Sequence, residues 1–330
     1  MNLLPIYHLD IPNFLLALSE TPPMQRIAKV GMNCGCEYTN FPRFRKLQKY
    51  DRRIHSLGVS LIVWHFTGNE KEAIAALFHD IATPVFAHSI DFLRGDYLLQ
   101  ESTEAGTEEI LRNSLEIRKI LNKLKISIND VRNYHCYPIA DNDSPRLSAD
   151  RLEYTLGNLV NFGFRSEAEV QRYYLMVQVS ENEDGIPELC FPDLSSAKAF
   201  AMDAMQCARI YVADEDRYTM QRVSEVIALA LMRGVLLDED LYTTEAEVIN
   251  KLLSNRETAI AWNAFRALSQ MATKENPAAT EAWRVVYAKR RYIDPYVAKR
   301  GRLSCLDAEF AFEKKKFLSQ DQNRPIAGIP

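Results

Sequence analysis

The chain has 330 residues, 47% of them hydrophobic, enough for one large domain or two modest ones, and this excludes wholesale disorder. Its 40 basic and 44 acidic residues leave a net charge of −4, which is not the footprint of a dedicated nucleic-acid binder. Six cysteines (Cys34, Cys36, Cys136, Cys190, Cys207, Cys305) lack a framework spacing, Met1–Glu20 lacks a basic start, and no apolar run approaches the ~20 residues that span a bilayer. A cytoplasmic chain with free thiols and no membrane partner is the expectation.

Helical periodicity dominates. Near the start, Cys34-Gly35-Cys36 offers too few ligands for a structural zinc site and reads as a loop. Lys71–Ile81 is Ala-rich, with Ile74, Leu77 and Phe78 apolar, and reads as a helix. Thr107–Leu124 carries Ile110, Leu111, Ile117, Ile120, Leu121 and Leu124 on one stripe, which predicts a single long amphipathic helix. His135 could line a pocket, but a packed loop residue is the favoured reading. Ser144-Pro145 reads as an N-cap and first helical residue, so a helix containing Asp150 should start there.

Leu175–Val179 and Ile186–Phe191 flank Asp184-Gly185, the signal for a small β-hairpin over about 175–191. Helices are predicted over Ser195–Val212, Thr219–Arg233, Glu245–Leu253 and Glu257–Met271, with a loop or weak boundary at Thr273–Ala279. Lys289-Arg290-Arg291 and Lys299-Arg300-Gly301-Arg302 form a basic patch that could meet phosphate, RNA or a neighbouring subunit. A solvated face is the favoured reading. Asn323–Pro330 is expected as a loose tail.

The chemistry lies in three strings. His55-Ser56-Leu57-Gly58-Val59, Phe78-His79-Asp80-Ile81 and Ser148-Ala149-Asp150-Arg151-Leu152 supply one His, a His-Asp pair and one Asp. Two imidazoles and two carboxylates are intermediate to hard donors, suited to one divalent ion such as Mn, Fe, Mg, Ni or Zn. His79 and Asp80, neighbours at a helix end, can approach an ion from two sides, with His55 and Asp150 arriving from other helices of a bundle.

These strings extend to Arg52-Arg53-Ile54-His55-Ser56-Leu57-Gly58-Val59, His79-Asp80-Ile81-Ala82-Thr83-Pro84-Val85-Phe86-Ala87-His88 and Asp150-Arg151-Leu152-Glu153-Tyr154, with Met24-Gln25-Arg26-Ile27 to Gly31 upstream. So extended, the chain resembles the HD-domain metal-dependent phosphohydrolases, signature H…HD…D, and within them the deoxynucleoside triphosphate triphosphohydrolase-like branch. The resemblance covers about residues 20–240. It implies a mainly α fold: an HD-domain helical bundle over 1–240 (core about 20–165) with a small β-hairpin, then a C-terminal helical extension, 241–330. It implies His55, His79, Asp80 and Asp150 as metal ligands, Arg52 and Arg151 near phosphate, and His88 and Asp91 in supporting or catalytic roles. An ordinary salt bridge is the competing reading for both arginines.

The chain departs from that branch where protons are handled. Thr83 stands at the last position of HD-x-x-H, where a continuing helix would turn it to the side of His79. Thr103-Glu104 is the best match to the next His-Glu pair, with Gln100-Glu101 as an alternative. Glu104, or else Glu101, and His88 oriented by Asp91 are the candidate acids or bases. Glu108 and Glu109 read better as an acidic first helical turn. The leading expectation is a phosphohydrolase acting on a small phosphorylated substrate, a nucleotide or a relative of one. The alternative is a metal-containing nucleotide-binding regulatory or scaffold protein with weak or no turnover. The resemblance also implies assembly through helical surfaces, with a homodimer the expected state.

Overall fold

Asp51 opens the first long helix, α1 (Arg52–Thr67), by accepting a hydrogen bond from the Ile54 amide, and Gly68 in the left-handed region closes it. Ser56–Val63 are all buried, so α1 is a central helix rather than a surface one. In this computed structural model, which describes residues 3–98, 106–275 and 283–330, the chain is mainly helical. Helix α2 (Glu70–Phe78) packs along α1, followed by α3 (His88–Arg94), α4 (Ala149–Asn161), α5 (Leu194–Tyr211) and α6 (Asp214–Met232). No helix among the described residues is long and apolar enough to cross a membrane.

Among the described residues, two large buried cores result. One joins α1, α2, α4 and α5 and takes in Ile293, Val297, Leu303, Phe310 and Phe317 from the C-terminal region. The other is built from Phe41, Phe44, Phe86, Val223, Ile227, Trp262, Phe265 and Ile326.

Several boundaries differ from the sequence expectation. The stripe over 107–124 is divided into helices Thr107–Asn113 and Leu115–Leu124, because Ser114 is extended and its side chain caps the second helix by accepting from the Ile117 amide. Ser144-Pro145 does not begin a helix. It lies in a loop with a cis peptide bond, and Ser148 caps α4 by accepting from the Arg151 amide. Helix α2 ends at Phe78, so Thr83 is not on a continuing helix: the chain turns back, with the Thr83 amide donating to the Asp80 carbonyl. Arg26 Nη2 fixes that turn by donating to the carbonyls of Ile81 and Thr83, at 2.8 and 2.9 Å.

The hairpin is present as β1 (Gln178–Glu181) and β2 (Pro187–Phe191), while Leu175 belongs to the preceding helix, Glu167–Met176. The helix expected over 257–271 stops at Arg266, and β3 (Gln270–Thr273) follows. The C-terminal region crosses back over the molecule. There β4 (Tyr296–Val297) pairs parallel with β2 and antiparallel with β5 (Gly301–Arg302), giving sheet order β1-β2-β4-β5. The last segment is not a loose tail: β6 (Ile326–Ile329) pairs antiparallel with β3 in register Gln270↔Ile329 to Thr273↔Ile326.

Because Ile326 is 0% exposed within the second core, Ile326→Ala should lower the unfolding free energy by about 2–4 kcal/mol. A denaturant midpoint measured at unchanged slope checks this; an unshifted midpoint would mean that the end of the chain is loose.

Candidate metal centre

Arg52 and His55 are three apart on α1 and share a face, as do Asp150 and Glu153 on α4. The two faces meet. His55 Nε2 lies 3.0 Å from Asp150 Oδ1, and His55 Nδ1 lies 2.5 Å from Glu153 Oε2. His79, just past the end of α2, brings its Nε2 to 3.2 Å from His55 Nε2, 3.5 Å from Asp80 Oδ2 and 3.7 Å from Asp150 Oδ1. Ligand atoms of His55, His79 and Asp80 thus lie within 4.8 Å of one another, and Asp150 approaches both imidazoles from α4.

Each donor is held from behind. His79 Nδ1–H donates to the Ala76 carbonyl at 2.7 Å, which leaves Nε2 as the lone-pair nitrogen. Glu153 fixes the His55 ring, and it also accepts from the Tyr50 and Tyr7 hydroxyls. Asp80 accepts from Arg52 Nη1 at 2.6 Å and from the Thr83 hydroxyl at 2.8 Å. Two glycines make room for this: a Cβ at Gly58 would meet the Glu153 side chain at 2.7 Å, and one at Gly157 would meet Tyr50 Oη at 2.6 Å.

The charges call for a cation. Burial works against the ionised form of Asp80, yet Arg52 and then the two imidazoles hold its carboxyl well below the usual range. Asp150 is likewise held low against burial, by His55 and then His79. Burial opposes a charged His55, but Glu153 and Asp150 push its pKa up to about 10. Both Nδ1 atoms are committed to acceptors, and both Nε2 atoms face each other between two ionised carboxylates. The donor set suits a divalent ion, which His55, His79, Asp80 and Asp150 would hold.

The centre opens into a cavity of about 680 Å³. Tyr134, Tyr154, Phe44 and Phe162 contribute aromatic surface, and Arg52, His88, His135, Arg151, Lys289 and Arg291 line it as well. Thr83 is fully buried beneath Asp80. Arg151 spends its guanidinium on the 141–146 loop: Nη1 is 3.1 Å from Asp141, Nε donates to the Arg146 carbonyl at 2.6 Å, and Nη2 reaches Asn142. His88 Nδ1 lies 2.8 Å from Asp91 Oδ2, with Asp91 completely buried. Phe86 and Ala87, at φ 57° and 44°, turn the chain into α3 and so aim His88 at the cavity; Glu245 holds this strained turn by accepting from the Phe86 amide. Glu101, Thr103 and Glu104 lie outside the described residues. Glu108 and Glu109 stand in the first turn of helix Thr107–Asn113, and Glu108 pairs with Arg112 and Arg132.

Two participants were not assigned from sequence. Glu153 was visible only as the acidic partner three residues after Asp150. His135 is not a packed loop residue: it lines the cavity, with Nδ1 2.9 Å from Asp141 Oδ2.

No family model matches the chain. It is similar to the uncharacterized protein YdhJ of Bacillus subtilis, 24% identical over 268 residues that cover 77% of this chain and 74% of that protein. It is also similar to the metal-dependent phosphohydrolase cns2 of Cordyceps militaris, 25% identical over 336 residues that cover 94% of this chain and 88% of that protein. Among solved structures, a hypothetical protein from Aquifex aeolicus shares the fold at a TM-score of 0.65 and 18% identity, over 96% of this chain and 93% of that one.

Removing the carboxylate behind His55 should loosen the site without removing a ligand. Glu153→Gln is expected to weaken divalent-ion affinity about 10- to 100-fold, read by competitive chelator titration. Asp80→Ala should lose the ion on gel filtration, and full metal content in that variant would sink the ligand assignment.

Proposed function

We propose that this chain is a metal-dependent phosphohydrolase of the HD-domain superfamily, acting on a phosphate ester of a nucleotide or a related small molecule. The observation that carries this is the meeting of His55, His79, Asp80 and Asp150 on the wall of a cavity large enough for such a substrate. The printed name of the Cordyceps relative supports the same reaction class. A divalent ion bound there would supply Lewis-acid charge relief for a phosphoryl group and a more acidic water.

The remaining work belongs to side chains. Arg52 and Thr83 keep Asp80 ionised and oriented, and Glu153 sets the His55 ring. Tyr134, Tyr154, Phe44 and Phe162 offer faces against which a base or sugar can pack. The leaving oxygen needs a proton. Thr83 is committed to Asp80, so it holds a ligand rather than supplying that proton. We assign that proton to His135. Its ring lies 4.2 Å from that of Tyr134, which lies 5.2 Å from His79, so it stands one ring beyond the centre, and Asp141 fixes its Nδ1.

The commitment of Thr83 also supports a second reading, a metal-containing nucleotide-binding regulator with little or no turnover. Phosphate release from a panel of nucleotides and simple phosphomonoesters, with Mn, Mg, Fe, Ni, Co and Zn, separates the two. Release that stops on chelation and returns with metal is expected; binding without turnover under every metal would leave the regulator. In an active preparation His135→Gln should lower kcat about 10²- to 10⁴-fold at unchanged metal content, and an unimpaired variant would remove His135 from the role.

A further inference from the structure

Two carboxylates that the metal centre does not use meet behind one wall of the cavity. Glu245, at the start of the helix Glu245–Ser254, is 5% exposed, and Glu37 reaches toward it from the short turn Cys36–Tyr38. Both close on Gly31: a Cβ there would stand 2.1 Å from Glu37 Oε1 and 3.7 Å from Glu245 Oε1. The backbone and phenol donors are shared unequally between them. Glu245 Oε1 accepts from the Gly31 and Phe86 amides at 3.0 and 3.3 Å, and its Oε2 accepts from the Tyr38 hydroxyl at 2.7 Å. Glu37 Oε2 accepts from the Gly35 amide at 3.0 Å.

Two like charges so placed are costly unless a cation intervenes or one of them is neutralised. The cation that reaches both is Arg52, whose guanidinium is paired with Asp80 at 2.6 Å. The other titratable groups facing the pair are the Tyr38 phenol and the Cys34 and Cys36 thiols, all pushed up by burial and so neutral. Behind Cys36 lies Asp216, whose carboxyl burial pushes up to about 7. A proton kept between the two glutamates resolves the conflict, and Glu37, the one with fewer donors, is its seat. Burial, and then Glu245, push the Glu37 carboxyl up to about 8.

The pair grips two segments of the cavity wall. Through Gly31 and Gly35 it holds Met32, Asn33 and Cys34, and through Phe86 it holds the strained turn that aims His88. The Ser89 hydroxyl ties these segments together by donating to the Cys34 carbonyl at 2.7 Å. Tyr38 and Phe86 also pack on one indole, Trp262, with ring centroids 5.6 and 5.7 Å away. With the wall closed, Glu37 keeps its proton up to about pH 8; released into water, it would ionise near its ordinary 4.5. Between those values the closed wall binds one proton more than the open one. Opening therefore becomes easier as the pH rises through that interval, and levels off above it.

We propose that Glu37 and Glu245 share one proton, and that this acid–carboxylate pair positions the cavity wall, gripping residues 32–34 and the turn before His88 most firmly at mildly acid pH and loosening as the pH rises. The test needs no turnover and stands apart from the phosphohydrolase reading. Infrared difference spectra of the full-length chain, wild type minus Glu37→Gln, should show a carboxylic-acid C=O band at neutral pH that fades near pH 8; Asp216 contributes to both spectra and cancels. Amide hydrogen exchange reads the positioning. Protection of the Gly31, Gly35 and Phe86 amides should fall about tenfold per pH unit, beyond the intrinsic rise in exchange, between about pH 5 and 8, and then level. Glu37→Gln, whose amide donates to Glu245 at every pH, should abolish that slope and keep the three amides protected at pH 8. Glu245→Gln, which donates to an ionised Glu37 while its oxygen still accepts from Gly31 and Phe86, should abolish the slope as well. An absent acid band at neutral pH overturns the shared proton. An acid band without a pH slope in the three amides, or a slope that survives in both variants, overturns the positioning role.

Discussion

The arrangement depends on one buried carboxylate. Glu153 is 1% exposed and sits where α1 and α4 cross, with His55, Tyr50 and Tyr7 all directed at it. Burial, and then Glu153 itself, push both phenols well above their ordinary pKa, so they remain donors. A carboxylate so placed is tolerable only if its acceptor capacity is filled. Those donors fill it, and in doing so they fix the spacing of the two helices and the plane of the His55 ring. Gly58 and Gly157 belong to the same device, since a methyl group at either position would collide with this network.

The cavity wall is assembled differently, from irregular segments tied together by charge. Glu188, 0% exposed on β2, accepts from Arg302 through both oxygens at 2.5 Å and also from the Leu147 amide and Asn182. It thereby joins the hairpin, the loop before α4 and the C-terminal segment at one point. Burial alone would depress the Arg302 guanidinium, but Glu188 and then Glu183 hold it above its ordinary value. The loop that carries Asp141 and the segment that carries Arg291 are therefore fixed relative to the helices that carry His55 and Asp150. The region expected as a C-terminal extension reaches into the first core through Ile293 and Val297 and places Lys289 and Arg291 on the cavity.

Much of this was legible in the sequence, for identifiable reasons. Local patterns were readable: apolar periodicity located most helices, Asp184-Gly185 located the hairpin, and the three His/Asp strings named residues that the fold brings together. What escaped depends on contacts distant in sequence. The apolar stripe continues unbroken across Ser114, so periodicity could not reveal a capped joint there. Ser144 and Ser148 both resemble caps; the choice is made by Leu147, whose amide is drawn away to Glu188. Residues 326–329 are too few to signal a strand and become one only against β3. Arg291 reads as surface charge because nothing in an irregular span announces which way it faces.

The position of Thr83 shows how such a site can change its proton handling while keeping its donors. Thr83 is fully buried beneath Asp80, and its hydroxyl donates to that carboxylate at 2.8 Å. With Thr there, Asp80 gains a second fixed donor, and nothing at that position can release a proton near neutral pH. The imidazoles that remain on the cavity, beyond the two facing the centre, are His88 and His135, each anchored at Nδ1 by an aspartate. A guanidinium approaches Nε2 of His88, and a cation so close opposes the protonation an acid requires. The Arg291 contact therefore makes His88 the ring suited to accept rather than to give a proton up.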